Sequence, residues 1–212
     1  MKSTLNVEDF YNVILEIARL IHENKKYLTD LDSAIGDADH GINMDRGFSV
    51  VIDKVGKMDI NNSDIGSLLI LVSNTLMETV GGAAGPLYGM FFMNMANKAM
   101  GKREVDYKEF ADMLEDGLKG VQEIGGGTQP GEKTMVDTLY PAINAFKRGV
   151  ERGDIEGLKE VLLREAENGM KSTINMVAKK GRASYLGERS LGHQDPGATS
   201  CYLILKAFYD HM

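Results

Sequence analysis

A single cysteine, Cys201, stands among 212 residues, so no disulfide can form within the chain and a reducing compartment is the expected setting. Its place in the apolar run "SCYLILKAF" marks it as a small core residue. Long apolar runs are missing too, none approaching the roughly 18 residues of a membrane span. The opening "MKSTLNVEDFYNVILEIARL" is amphipathic and acidic and lacks the apolar segment and cleavage signature of a secretory signal, so a cytoplasmic location is expected. Positive charge is in deficit: a net charge of −7 argues against a non-specific nucleic-acid or anionic-membrane surface. There is no repeat, low-complexity tract or Pro/Ser-rich linker. A chain that is 43% hydrophobic can bury a proper core, and one domain over residues 1–212 is expected.

Strand-like alternation is also scarce. What is present is helical spacing. Phe10, Val13, Ile14, Ile17, Leu20 and Ile21 form one stripe, and Phe48, Val51, Ile52 and Val55 the next. Ser63 and Asp64 cap a third segment carrying Ile65, Leu68, Leu69, Val72 and Leu76. "LYGMFFMNMANKAM" (87–100) is apolar almost all round, as a centrally packed helix requires. Asp106 and Glu109 form a capping-box pattern before Phe110, Met113, Leu114 and Val121. Residues 134–147 carry Met135, Leu139, Ile143 and Phe146, with Pro141 expected to kink or interrupt them. Leu158, Val161, Leu162, Ala166, Met170 and Ile174 mark a seventh helix. Asp195–Pro196 opens an eighth, running to about His211. The expectation is an all-α bundle of eight antiparallel helices with no convincing strand.

The connections carry the chemistry. "GKMDINNS", "GKREVD" and "KRGVERGD" are short, charged and ordinary. "LTDLDSAIGDADHGIN", "VGGAAGP", "GGGTQPGEKT" and "KKGRASYLGERSLGHQDPG" hold the glycines and the motif-like residues, and all four are odd-numbered connections. In an up-and-down bundle such connections emerge at one end, so these stretches should converge on one rim.

Asp32, Asp37 and Asp39 are either solvated loop acids or ligands of a hard cation; Mg²⁺ suits carboxylates completed by phosphate oxygens and waters. An EF-hand is excluded, because Phe48 stands where its twelfth-position Glu belongs. A helix start with Asn43 as cap offers backbone N–H groups to an anion a few residues away. His40 either bonds a phosphate or fixes the loop. "VGGAAGP" is either a plain turn or a close backbone approach to phosphate or ribose. "GGGTQPGEKT" is not a P-loop, since Glu132 separates the last glycine from Lys133 and no strand precedes it. Lys133 is a surface lysine or a ligand. Arg182, in a long polar loop with Arg189 and His193, either neutralises phosphate charge or pairs with Glu188 or another loop acid. No G-x-S-x-G, HExxH or Cys–His pattern points to nucleophilic catalysis.

Together, "IGDADHGxNMxRGF", "VGGAAGPLYGxFF", "PGEKTMVD" and "GRASYLGERSxGHQDPGATS" resemble the DhaL family, the nucleotide-binding L subunits of bacterial dihydroxyacetone kinases, from about Leu28 to Ser200. The resemblance implies a closed barrel of eight antiparallel helices with ADP and two Mg²⁺ at one rim. It implies Asp32, Asp37 and Asp39 as metal ligands, and nucleotide contacts from His40, Gly41, Ile42, Asn43, Ala83, Ala84, Gly126, Met135, Arg182, Asp195, Pro196 and Gly197, with Arg182 also catalytic. It further implies a resident ADP, rephosphorylated to ATP by a phosphohistidine on the partner DhaM. The phosphoryl group then passes to dihydroxyacetone held covalently on the partner DhaK. Phosphoenolpyruvate is the ultimate donor, and a homodimer is expected. Ala84 stands where the family often has Ser, and Glu132 where Asp is commoner. The alternatives are an ATP-exchanging glycerone- or fatty-acid-kinase nucleotide domain, and a nucleotide-sensing module that binds a transcription regulator.

Overall fold

The computed structural model describes residues 4–212. Nine α-helices occur among them: α1 (Val7–Glu23), α2 (Lys25–Ile35), α3 (His40–Val55), α4 (Ile65–Thr79), α5 (Ala84–Ala99), α6 (Tyr107–Ile124), α7 (Val136–Glu151), α8 (Leu158–Ser172) and α9 (Pro196–His211). From α3 onward each helix packs on the next, while α1 packs on both α3 and α9 and so closes the ring. Every apolar residue of the α1 stripe is buried. Inside the ring, Phe10 of α1, Phe110 of α6 and Phe208 of α9 meet with centroids 5.2–6.0 Å apart, and Phe146 of α7 lies 5.7 Å from Phe110. Each such ring contributes about 1.5–3 kcal/mol by burial, and the edge-on contacts add roughly 0.5–1.5 kcal/mol.

The ninth helix is α2, which lies within the stretch expected to be a loop. Asn24 creates it by breaking α1: its Nδ2 and its backbone N–H both bond the Leu20 carbonyl, at 2.9 and 3.1 Å. The chain resumes as a helix after this single residue. Because α3 packs on both pieces, α1 and α2 act as one interrupted rod. Asp45 of α3 bonds His22 and Lys25, and one turn earlier Gly41 abuts Lys25 and Thr29. Contacts that descend along one helix as they ascend along the other define an antiparallel pair. The parity of the later helices therefore survives the extra element.

The expected caps of α4, α6 and α9 hold, while other expectations change in detail. Asp64 caps α4 through Ser67 N, Asp106 and Glu109 form the capping box of α6, and Asp195 caps α9 through Ala198 N. Asn43 is not the cap of α3; the helix begins at His40, and Asn43 lies in its first turn with Oδ1 accepting from Arg46. Pro141 does not interrupt α7, which runs through it. Its missing N–H leaves the Asp137 carbonyl without an i+4 donor, and Gly169 of α8 packs against that oxygen. Among the described residues two short strands, β1 (Thr4–Asn6) and β2 (Glu104–Asp106), pair antiparallel with Leu5 opposite Val105. Beside them Arg103 donates to the carbonyls of Asn61 and Ser63 at 2.7 and 2.6 Å. These links, ordinary in sequence, pin the end of the ring remote from the glycine-rich connections.

Candidate functional site

The connections α2–α3, α4–α5, α6–α7 and α8–α9 all contribute to one cleft of about 470 Å³. Asp32 is buried in the last turns of α2. Asp37 and Asp39 follow it in a turn made possible by Ala38, whose φ of 61° is left-handed, a conformation uncommon outside glycine. Carboxylate oxygens of the three acids lie within 4.8 Å of one another. Asp32 Oδ2 also accepts from the backbone N–H groups of Asp39 and His40, at 2.9 and 3.1 Å. It thus caps α3 in place of the local side chain, which makes no cap bond.

From the α8–α9 connection, whose Arg182–Ser190 segment packs on α2, Arg182 Nε reaches Asp37 Oδ2 at 2.8 Å. The acid partner open to Arg182 in the sequence is thus a member of the aspartate cluster. The segment carrying it is not structureless: Arg182–Ser190 forms successive 3₁₀ turns broken at Gly187, with φ of 55°. Ser190 Oγ ties this segment down by accepting from Ala178 N at 2.9 Å.

Lys133 is neither a surface lysine nor free to act as a ligand. It is 1% exposed, and its Nζ donates to the carbonyls of Thr173, at 2.5 Å, and His193. Burial pulls its pKa down, opposed by the charges of Asp195 and Asp137. The backbone at Lys133 is left-handed, with φ of 62°, and Asp137 braces the turn by accepting from Gly131 N and Thr134 N at 2.5 and 2.8 Å. One ammonium thereby stitches the α6–α7 loop to both ends of the α8–α9 connection. Nothing in the local sequence announces it. Asp195, at the N-cap of α9, is pushed up to about 7 by burial, against the lowering effects of the Ala198 N–H and Lys133.

His40, Asn43, Ala83, Ala84, Met135, Arg182, Asp195, Pro196 and Gly197 all line the cleft. Three other residues of the expected set do not. Gly41 faces α2, where a Cβ would sit 2.1 Å from the Lys25 carbonyl, so helix packing accounts for this glycine. Ile42 points outward and is exposed. Gly126 stands just outside the wall, with its carbonyl 3.3 Å from Lys180 Nζ. Sequence reasoning missed Lys133's role and a pair of buried hydroxyls behind His40, those of Ser200 and Tyr88. Cys201 is buried and its thiol is pushed up by desolvation, as suits a core residue.

The chemistry of the donor set fits a hard divalent cation: three carboxylates close enough to share one ion, beside a glycine-lined cleft and next to an arginine. Among the described residues no helix is long and apolar enough to cross a membrane.

The profile of the DAK2 domain matches residues 34–210. The chain is 41% identical over 204 residues to the PEP-dependent dihydroxyacetone kinase, ADP-binding subunit DhaL, of Escherichia coli, covering 96% of each chain. It is 37% identical to the ADP-binding subunit DhaL of PEP-dependent dihydroxyacetone kinase 2 from Listeria innocua, covering 96% of this chain and 94% of that one. The crystal structure of the dihydroxyacetone kinase from C. freundii in complex with AMP-PNP and Mg²⁺ superposes with a TM-score of 0.69 at 21% identity, over 95% of this chain and 33% of that one. The chain thus spans about a third of that larger enzyme and nearly the whole of the two bacterial subunits. On the match over residues 34–210 and these identities, the chain belongs to the DAK2 domain family.

Proposed function

We propose that this chain is one nucleotide-binding domain that serves as the ADP-holding subunit of a phosphoenolpyruvate-dependent dihydroxyacetone kinase. The carrying observation is the convergence of three aspartates within 4.8 Å, an arginine 2.8 Å from one of them, and a cleft built by four rim connections. Asp32, Asp37 and Asp39 would hold Mg²⁺, two ions by family resemblance. When bound, the metal supplies positive charge that offsets the phosphate oxygens. Phosphoryl transfer asks a protein for position and charge more than for covalent help. His40 and Asn43 in the first turn of α3 and the Asp195–Pro196–Gly197 turn line the wall that would receive the nucleotide. Arg182 supplies a fixed guanidinium where charge develops.

By family resemblance this chain supplies nucleotide and metal, and donor and acceptor chemistry would be brought by a phosphohistidine subunit of the DhaM type and a ketose-binding subunit of the DhaK type. Ile42, Ile124, Tyr185 and Leu191 are large apolar side chains exposed on the rim elements, a surface suited to such transient docking. The test is to purify the chain, release its nucleotide and identify it by chromatography. The protein is then charged with labelled ATP and with reconstituted partner subunits. ADP that co-purifies, exchanges slowly and is phosphorylated only by the phosphohistidine subunit is the expected result. Rapid exchange with free ATP would overturn the reading in favour of an ATP-dependent kinase domain.

A further inference from the structure

Behind His40 lies a buried chain of polar atoms that the proposed function leaves unexplained. His40 Nε2 is 2.8 Å from Ser200 Oγ, and Ser200 Oγ is 2.6 Å from the Tyr88 hydroxyl. Ser200 and Tyr88 are buried, on α9 and α5, while the imidazole lines the cleft from the first residue of α3. Three helices are therefore joined by one line of hydrogen bonds that ends in the candidate site. Nδ1 is the imidazole atom left for the cleft, with no hydrogen-bond partner among the described residues.

At its His40 end this line can be populated in two ways. Tyr88 and Ser200 carry one hydroxyl proton each; around them the carbonyls of Pro196 and Gly197 at 3.1–3.2 Å can only accept, and the Cys201 thiol, 3.5 Å from the Tyr88 hydroxyl, is a weak donor or acceptor. In both arrangements the 2.6 Å contact is best used as Tyr88 O–H donating to Ser200 Oγ. The Ser200 proton then goes either to His40 Nε2 or back to the Pro196 carbonyl. In the first case His40 carries its proton on Nδ1 and offers a donor to the cleft. In the second, Nε2 donates to Ser200 and Nδ1 presents a lone pair.

Two observations favour the first arrangement. The carbonyl alternatives for the Ser200 proton, at 3.1 and 3.2 Å, lie beyond the 2.5–3.0 Å usual for a hydroxyl donor, whereas His40 Nε2 at 2.8 Å lies within it. The second rests on the reading given under Proposed function. A cleft that receives phosphate oxygens is better served by a neutral N–H donor than by a lone pair, which would repel them.

We propose that Ser200 and Tyr88 are positioning residues: their hydroxyls fix His40 in the Nδ1–H tautomer and aim that N–H at a phosphate oxygen of the bound nucleotide. Ser200 supplies the donor to Nε2, and Tyr88 saturates Ser200 from the core side so that its proton points outward.

The test is a two-bond ¹H–¹⁵N correlation spectrum of the full-length ¹⁵N-labelled protein without nucleotide, above pH about 8, where an imidazole of ordinary pKa is neutral. The chain has four histidines, so the His40 signals are identified by their loss in His40→Asn. The wild type is expected to show His40 protonated at Nδ1. Ser200→Ala should shift it toward the Nε2–H form and weaken Mg–ADP binding about tenfold, the scale of one lost bond to a charged group, with Ser200→Thr restoring both. A wild-type spectrum showing the Nε2–H form overturns the proposal without need of any variant, and so does a Ser200→Ala spectrum identical to wild type. Tight Mg–ADP binding alongside either result would leave the nucleotide reading intact, so the two ideas fail separately.

Discussion

Arg182 Nε lies 2.8 Å from Asp37 Oδ2, so the 3₁₀ segment of the α8–α9 connection is latched to the aspartate cluster at the end of α2. Both partners are partly exposed, and such a pair contributes less than about 1 kcal/mol. The latch can therefore yield to a metal ion at little cost. Arg182→Met is expected to leave binding of Mg²⁺ alone unchanged or up to fivefold tighter, by removing a competitor for Asp37. It should lower phosphoryl transfer by about 10²-fold. Asp37→Asn should weaken Mg–ADP binding and transfer together. Calorimetric titration with Mg²⁺ and a coupled transfer assay on the two variants separate these effects; near-normal transfer in Asp37→Asn would refute its role as a ligand.

Lys133 anchors loops that are also joined by the Lys179 N–H to the Glu132 carbonyl and by Lys180 Nζ to the Gly126 carbonyl. In Lys133→Met the side chain keeps its apolar stem, but the Thr173 and His193 carbonyls lose their shared donor. The expected cost is about 2–4 kcal/mol, read as a fall in melting temperature of roughly 5–15 °C for a chain of this size. Calorimetric melting of the two proteins without ligand measures it. A loss confined to nucleotide affinity, with unchanged melting, would mean that the ammonium serves the ligand instead.

Asp195 gives the molecule a pH dependence of unusual sign. Its folded-state pKa of about 7 exceeds the ordinary carboxylate value, so between pH about 4 and 7 the folded chain holds a proton that the unfolded chain has lost. Stability from this group is present at low pH and declines as pH rises through that window. Asn also caps helices well, so Asp195→Asn should keep α9 and flatten the decline. Melting curves at pH 5 and 8, without metal or nucleotide, should therefore converge in the variant. Parallel curves in the two proteins would show that Asp195 ionises like an ordinary carboxyl.

Gly41→Ala places a methyl group where the Lys25 carbonyl already stands, 2.1 Å away. The contact is with backbone, so α2 and α3 must separate. The variant is expected to lose about 1–3 kcal/mol of stability and to weaken Mg–ADP only as far as Asp32 and His40 shift. Chemical denaturation set beside ligand titration gives the two numbers.

Much of this architecture was legible in the residues themselves. The apolar stripes located eight helices, and the parity of their connections brought residues 32–39 and 182–197 to one rim, as the Asp37–Arg182 contact records. That inference needed only short links and a consistent hydrophobic spacing. The helix α2 escaped because it buries only Leu28, Asp32 and Ile35, too few apolar positions to compete with its acids. Its omission did no harm to the parity, since it prolongs α1. The β1–β2 ribbon is three residues long on each side, below the length at which alternation can be recognised. The buried state of Lys133 depends on a left-handed backbone in the middle of a polar loop, and the Tyr88–Ser200 bond joins residues 112 positions apart. Neither leaves a local trace in sequence.

The corner between α7 and α8 closes with Gly153 and Gly157, both in left-handed conformation. It stands one helix away from the cleft, about 24 Å for the 16 residues of α7. Arg103 and the small ribbon secure two of the three remote corners but not this one. It is therefore where a fluorophore or affinity handle can be inserted to watch nucleotide arrive, leaving the chemistry undisturbed.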